Sequence, residues 1–174
     1  MKTPEIHNDT SLTTRLAGAE KKIWELLETV CDPEIPVLSI LDLGIVRSVS
    51  VNAVENREAI VKITITPTYS GCPAMDMISM QIRMTLLENG YINIIIESVL
   101  SPVWTTDWMS AAGKEKLHTY GIAPPHLSDK ELSIICPQCS SASTKLLSQF
   151  GSTACKALYQ CQECLEPFDY FKCH

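Results

Sequence analysis

Apolar residues early in the chain recur at intervals of three and four: Leu12, Leu16, Ala19, Ile23, Leu26, Leu27 and Val30. That period gathers them on one face of an amphipathic helix over about 11–30. CDPEIP ends it, because Pro33 and Pro36 cannot continue a helix interior and each disfavours helical geometry in the residue before it. Two β-branched runs follow, IVRSVSV (45–51) and AIVKITIT (59–66), and the intervening NAVENRE makes them a predicted hairpin. Met75, Ile78, Ile82 and Leu86 restore the helical period, with Asn89-Gly90 as its stop. YINIIIESVL (91–100) reads as a third strand, and Ser110 as the cap of a short helix through Tyr120, closed by Gly121. Pro124 and Pro125 in GIAPPHLSD mark a stiff linker over 123–131, between a domain at 11–122 and a tail at 132–174. The order helix, strand, strand, helix, strand predicts an α+β domain of two layers, its helices on one face of a sheet.

A chain of 174 residues has room for one sizeable core and a small appendage. Its net charge of −6 argues against a general nucleic-acid or anionic-membrane binder, which needs a surplus of Lys and Arg. The first residues, MKTPEIHNDTS, hold no apolar run of signal-peptide length. No stretch reaches the roughly 20 apolar residues that span a bilayer. The expectation is a soluble, cytoplasmic protein.

The eight cysteines are unevenly placed: Cys31 and Cys72 stand apart, and six lie between 136 and 173. In a reducing compartment such crowding points to metal ligation or redox chemistry. The tail carries CPQC (136–139) and CQEC (161–164), separated by 21 residues. Two such knuckles aim Cys136, Cys139, Cys161 and Cys164 at one centre, which suits tetrahedral zinc in a zinc ribbon. A mononuclear iron site and a redox dithiol at CPQC are the competing readings. A closed four-thiolate site leaves no position for a substrate, so its expected role is to fold a segment too small to be stable alone. Residues 133–174 balance three Lys against three acids, which favours protein contact over a phosphate backbone. Cys155 and Cys173, the latter followed by His174, could each replace a ligand or be a free thiol, but they show no further four-ligand pattern and read as structural; His118 and His126 are isolated and read as solvated or hydrogen-bonded.

TPTYSGCPAMDM (66–77) places a thiol where a strand gives way to a helix. Pro73 suits the first helical position, which would make Cys72 the N-cap. A sulfur there faces unpaired N–H groups and the positive end of the helix dipole, and its pKa is expected to fall. The alternative is a small buried hydrophobe in a rigid connection. Asp32, Glu34 and Asp42 sit on loops that could gather near Cys72, where carboxylates would raise the thiol pKa unless a metal lies between them. The plainer reading makes Asp32 and Asp42 turn and cap residues, and taken alone it is the stronger one. No dinucleotide, phosphate-loop, nucleophile-elbow or metalloprotease motif occurs.

DPEIPVLSILDLGIV (32–46) together with TPTYSGCPA (66–74) resembles the iron–sulfur assembly (FSCA) domain of the SufT-like family, over about residues 15–120. With WTTDWM (104–109), the two knuckles, FGSTACKALYQC (150–161) and EPFDYFKC (166–173), the chain is similar to the D-subunit family (J in another nomenclature) of bacterial phenylacetyl-CoA epoxidase. The resemblance implies the fold outlined above, with a C-terminal zinc ribbon on Cys136, Cys139, Cys161 and Cys164. It implies that Cys72 matches the family's reactive cysteine, that Asp32, Glu34 and Asp42 fall in its acidic motifs, and that Cys155 lies within a family motif.

As a family, the epoxidase complex has a di-iron oxygenase component and a reductase with a plant-type [2Fe–2S] centre. The chain lacks the carboxylate-and-histidine helices of the first and any nicotinamide or flavin fingerprint of the second. The resemblance therefore implies an accessory role, with Cys72 a transient ligand for iron or an Fe–S cluster, or a holder of a partner's cysteine, and the reductase the more natural client. A stoichiometric structural or coupling subunit is the competing reading, and a stand-alone thiol oxidoreductase a third. An uncovered sheet face would favour a homodimer.

Overall fold

The computed structural model describes residues 10–53, 59–125 and 134–172, so His126, Cys173 and His174 lie outside the described residues. Helix α1 runs Thr10–Leu27. Its last turn tightens, with Thr29 N–H donating to the Leu26 carbonyl and Val30 N–H to the Leu27 carbonyl, both at 3.1 Å. The chain then opens into an isolated bridge between Cys31 and Ser39. Asp32 shapes the proline-flanked loop: its Oδ1 accepts the N–H groups of Glu34 and Ile35, both at 2.8 Å.

Strands β1 (Val46–Ala53) and β2 (Ala59–Ile65) form the antiparallel hairpin, with a register shift between Val46 and Ser48. Helix α2 (Ala74–Glu88) crosses over to β3 (Asn93–Ser98), which pairs with β2 in parallel and leaves β2 central. Alternation along β2 sends Val61, Ile63 and Ile65 into the core. There they join Ile23 and Leu27 of α1 and Ile78, Ile82 and Leu86 of α2. The opposite flank of α2 exposes Met77, Met80, Met84 and Leu87. The domain is the two-layer α+β arrangement that the hydrophobic pattern implies.

A crossing segment then runs over this layer to α3 (Ala111–Thr119). Trp104 is buried and donates its Nε1–H to the Leu43 carbonyl at 2.8 Å. Gly44 has φ +66°, and a Cβ there would collide with Trp108. Glycine is therefore required on two counts, a left-handed backbone and a close approach. Ser110 caps α3 as its sequence suggests, its hydroxyl accepting the Gly113 N–H at 2.8 Å.

The second sheet has the order β4-β7-β6-β5, from β4 (Ile122–Ala123), β5 (Thr144–Ser148), β6 (Lys156–Cys161) and β7 (Pro167–Phe171). Strand β4 pairs with β7 in parallel and spans the boundary expected between 122 and 123. The ribbon has its own small core, yet Cys155 and Phe171 are buried in the larger one. Phe171 meets Trp104 edge to face at 6.2 Å. Among the described residues no helix is long and apolar enough to cross a membrane.

Candidate functional site

The tail thiols converge. The Sγ atoms of Cys136, Cys139, Cys161 and Cys164 all lie within 4.8 Å of one another. Cys136 and Cys164 are 3.7 Å apart and Cys139 and Cys161 3.5 Å, close to the roughly 3.8 Å edge of a tetrahedron with Zn–S bonds of about 2.3 Å. The two knuckles share a local device: the residue after each second cysteine, Ser140 at φ 59° and Leu165 at φ 66°, turns left-handed and bends the chain around the centre. The N–H groups of Glu163 and Cys164 point at Cys161 Sγ, at 3.4 and 3.5 Å. These donors, that of Cys164 foremost, hold the Cys161 thiol down at about 6. Against the Glu166 N–H, burial and the neighbouring thiols push Cys164 up to about 12; an ion at this centre would convert the four thiols to thiolates, and the residues fit structural zinc. Among the described residues this is the one group of three or more such ligands drawn so closely together.

Beyond β2, Thr66 and Thr68 are buried, and Gly71 at φ +83° reverses the chain so that Cys72 N–H donates to the Tyr69 carbonyl at 3.3 Å. Pro73 already has helical dihedrals, φ −70° and ψ −20°, ahead of α2 at Ala74, and the Cys72 carbonyl accepts the Met75 N–H at 3.3 Å, so Cys72 stands at the helix N-terminus. A cleft of about 200 Å³ lies alongside, lined by Thr66, Pro67, Thr68, Tyr69, Ser70, Leu100, Val103 and Trp104.

The expected fall in the Cys72 pKa is corrected. Burial pushes the thiol up; the Ala74 N–H and the Tyr69 hydroxyl pull it back, while the charges of Glu34 and Asp32 push it further up. Burial and the carboxylates outweigh the helix terminus, and Cys72 is held above the ordinary thiol value. Tyr69 is pushed up to about 12, first by burial and then by the charges of Cys72, Cys155 and Glu34. Cys155, buried and raised by that burial, also feels Glu34 and Asp32. Sequence reasoning does not single out Tyr69 and treats Cys155 as structural. The one available signal for Cys155 is its place in FGSTACKALYQC.

Asp42 belongs elsewhere. Its carboxylate accepts the Ser39 N–H at 3.1 Å, the Ser110 hydroxyl at 2.8 Å and the Lys116 ammonium at 2.6 Å. It thus staples the 39–42 turn to α3, in the turn-and-cap role, while Asp32 and Glu34 supply the carboxylate charge felt at Cys72. Burial raises the Asp42 pKa, but Lys116, Ser110 and Ser39 outweigh it and the carboxyl lies below its ordinary value. A depressed folded-state pKa contributes stability that is complete above the unfolded value and lost as pH falls through the folded one. Acid should therefore weaken wild type below about pH 4, and Asp42→Asn should flatten that limb. Urea denaturation of both proteins at neutral pH and at about pH 3 measures it; equal losses in the two would remove Asp42 from the acid response.

Comparison with known proteins follows the same division. Residues 20–89 match the family model "Iron-sulfur cluster assembly protein", and residues 123–172 match "PaaD zinc beta ribbon domain". A relative from Escherichia coli (strain K12), the D-subunit of a "Putative 1,2-phenylacetyl-CoA epoxidase", is 50% identical over 156 residues, 87% of this chain and 92% of that one. A "Fe-S protein maturation auxiliary factor" of Porphyromonas gingivalis (strain ATCC BAA-308 / W83) is 38% identical over 92 residues, covering 52% of this chain and 83% of its own. The crystal structure of a DUF59 domain of unknown function from Bacillus anthracis superposes with a TM-score of 0.54 at 32% identity, over 60% of this chain and 96% of that one. An assembly-type domain and a four-thiolate ribbon in one chain, with identity sustained across both, place this protein in the D-subunit family of 1,2-phenylacetyl-CoA epoxidase.

Proposed function

We propose that the chain is a cytoplasmic maturation factor of the phenylacetyl-CoA epoxidase system, delivering iron or an Fe–S cluster to the reductase or, as second client, to the di-iron oxygenase. The observation that carries this reading is the setting of Cys72: a half-buried thiol on a glycine-turned, proline-flanked loop, under the charge of Asp32 and Glu34. With burial and two carboxylates against ionisation, the thiol keeps its proton at rest. A cation that reaches the loop offsets both effects and lets the thiolate form. When a client thiolate takes the cargo, Cys72 regains a proton and lets go. The same features that make it a poor standing nucleophile make it a releasing ligand.

Relatives of the assembly domain carry names for Fe–S protein maturation, which supports this reading. The exposed Met77, Met80, Met84 and Leu87 of α2, the helix that follows Cys72, suit contact with a protein partner. The raised thiol favours a second reading, a structural or coupling subunit with Cys72 inert. Co-expression of the reductase with wild type and with Cys72→Ala separates the two. Iron and acid-labile sulfide bound to the reductase should collapse with the variant to the level seen without this chain. Unchanged occupancy would favour the structural role.

A further inference from the structure

The cleft beside the Cys72 loop has no task in the chemistry described above. Thr66 lines it and is 1% exposed, and its Oγ1 is buried with no hydrogen-bond partner. Only one other buried side-chain atom among the described residues, Gln81 Oε1, is left so. A buried hydroxyl is costly to leave unpaired, so the Thr66 hydroxyl marks a place where a polar atom arrives. The segment after β3 supplies the other side of the lining: Leu100 and Val103, 61% and 71% exposed, and the buried Trp104. No Lys, Arg, His, Asp or Glu lines the cleft, and its volume is about 200 Å³.

We propose that this cleft is an anchor pocket for one tyrosine or tryptophan side chain of a protein partner. Each of its properties narrows the occupant. Pockets for whole small molecules run to about 300–1,000 Å³, so this one suits a single side chain. A phosphate, carboxylate or guanidinium buried here would lose its water without gaining a counter-ion. Of the three residue types that dominate interface energetics, arginine is thereby removed, and tryptophan and tyrosine are left. Each brings an apolar ring for the Trp104 side of the cleft and one polar atom for the Thr66 hydroxyl. The exposure of Leu100 and Val103 decides between a polypeptide and a free phenol or indole. A single ring in the cleft leaves those side chains wet, whereas the chain that carries the ring covers them. The pocket is also placed: Tyr69 lines it, and the Tyr69 carbonyl accepts the Cys72 N–H at 3.3 Å. A partner anchored here is held beside the Cys72 loop. Calling that partner the client of Cys72 rests on the maturation reading; the pocket itself does not.

Side-chain mimics test the pocket: p-cresol for tyrosine, 3-methylindole for tryptophan, and toluene as a ring with no polar atom. Each is titrated into the zinc-loaded full chain while amide resonances are followed. The first two should shift residues 66–70 and 100–104 saturably, and toluene should bind about 3- to 10-fold more weakly. Thr66→Val removes a hydroxyl that has no partner, so the variant should fold as wild type does and lose that preference. Equal affinity for all three probes, or a preference that survives Thr66→Val, overturns the proposal. Val103→Asp then tests the source, with zinc content and amide dispersion confirming its fold. Co-purification of the co-expressed reductase or oxygenase component should fall at least about tenfold. Probe binding that depends on Thr66, with both components retained by Val103→Asp, would make the cleft a site for a free ring and overturn the protein anchor. If Val103→Asp loses its partner while Cys72→Ala leaves the reductase's cluster intact, the anchor stands and the maturation reading falls.

Discussion

Cys161→Ser is expected to dismantle the ribbon while leaving most of the larger domain folded. The buried residues of the ribbon's own cluster are Ala123, Ile134, Cys136, Ala157, Cys161, Phe168 and Tyr170, and two of these are themselves ligands. Tyr159 adds aromatic contacts to Phe168 at 6.0 Å and Tyr170 at 5.7 Å, but so small a core cannot offset the entropy of ordering three antiparallel strands. Zinc supplies what is missing, an apparent contribution of about 10–16 kcal/mol at neutral pH in small four-ligand sites. Serine gives no thiolate, so bound zinc should fall from about one ion per chain to near none. Amide resonances of 134–172 should collapse toward unfolded positions. Because Phe171 withdraws with the ribbon, emission from Trp104 should shift to the red. Dispersed ribbon resonances without zinc would overturn the structural-metal assignment.

The second large effect is expected at Trp104. It is 1% exposed, donates to the Leu43 carbonyl beside the Gly44 turn, and meets Phe171 edge to face. Trp104→Ala deletes the largest of these contacts at once and should cost about 3–5 kcal/mol. That is a large fraction of a domain stability of about 5–15 kcal/mol. Trp104→Phe retains a ring against Phe171 but leaves the Leu43 carbonyl without its donor, which should cost about 1–3 kcal/mol. Urea unfolding of both variants separates packing from hydrogen bonding. Equal midpoints for the two would mean that the indole N–H, not the ring, carries the contribution.

What can be read from the sequence is local. Val61, Ile63 and Ile65 alternate along a central strand, and Ile78, Ile82 and Leu86 recur along a helix, so one period reveals each buried face. The four-cysteine cluster is legible because each Cys-x-x-Cys knuckle places its two thiols within four residues. The apolar period carries the first helix on to Val30, although the backbone has by then tightened into three-residue turns. Strand β4 is two residues long and has no period to show. At Cys72 the sequence names both opposing effects, the helix terminus and the carboxylates with burial, but their balance is tertiary and only the fold shows which prevails. Cys155 is missed for the same reason, since only the fold takes it out of the ribbon and into the other core.

The aromatic contact between Trp104 and Phe171 also sets an order of events during synthesis. A ribosome has made α1 to α3 well before it reaches Phe171, and at ordinary elongation rates the gap lasts on the order of seconds. Throughout that interval the side of the indole that Phe171 meets has no partner on the nascent chain. Closure then awaits the last knuckle and an ion to fill it. The supply of that ion should then set how long each new molecule stays unfinished.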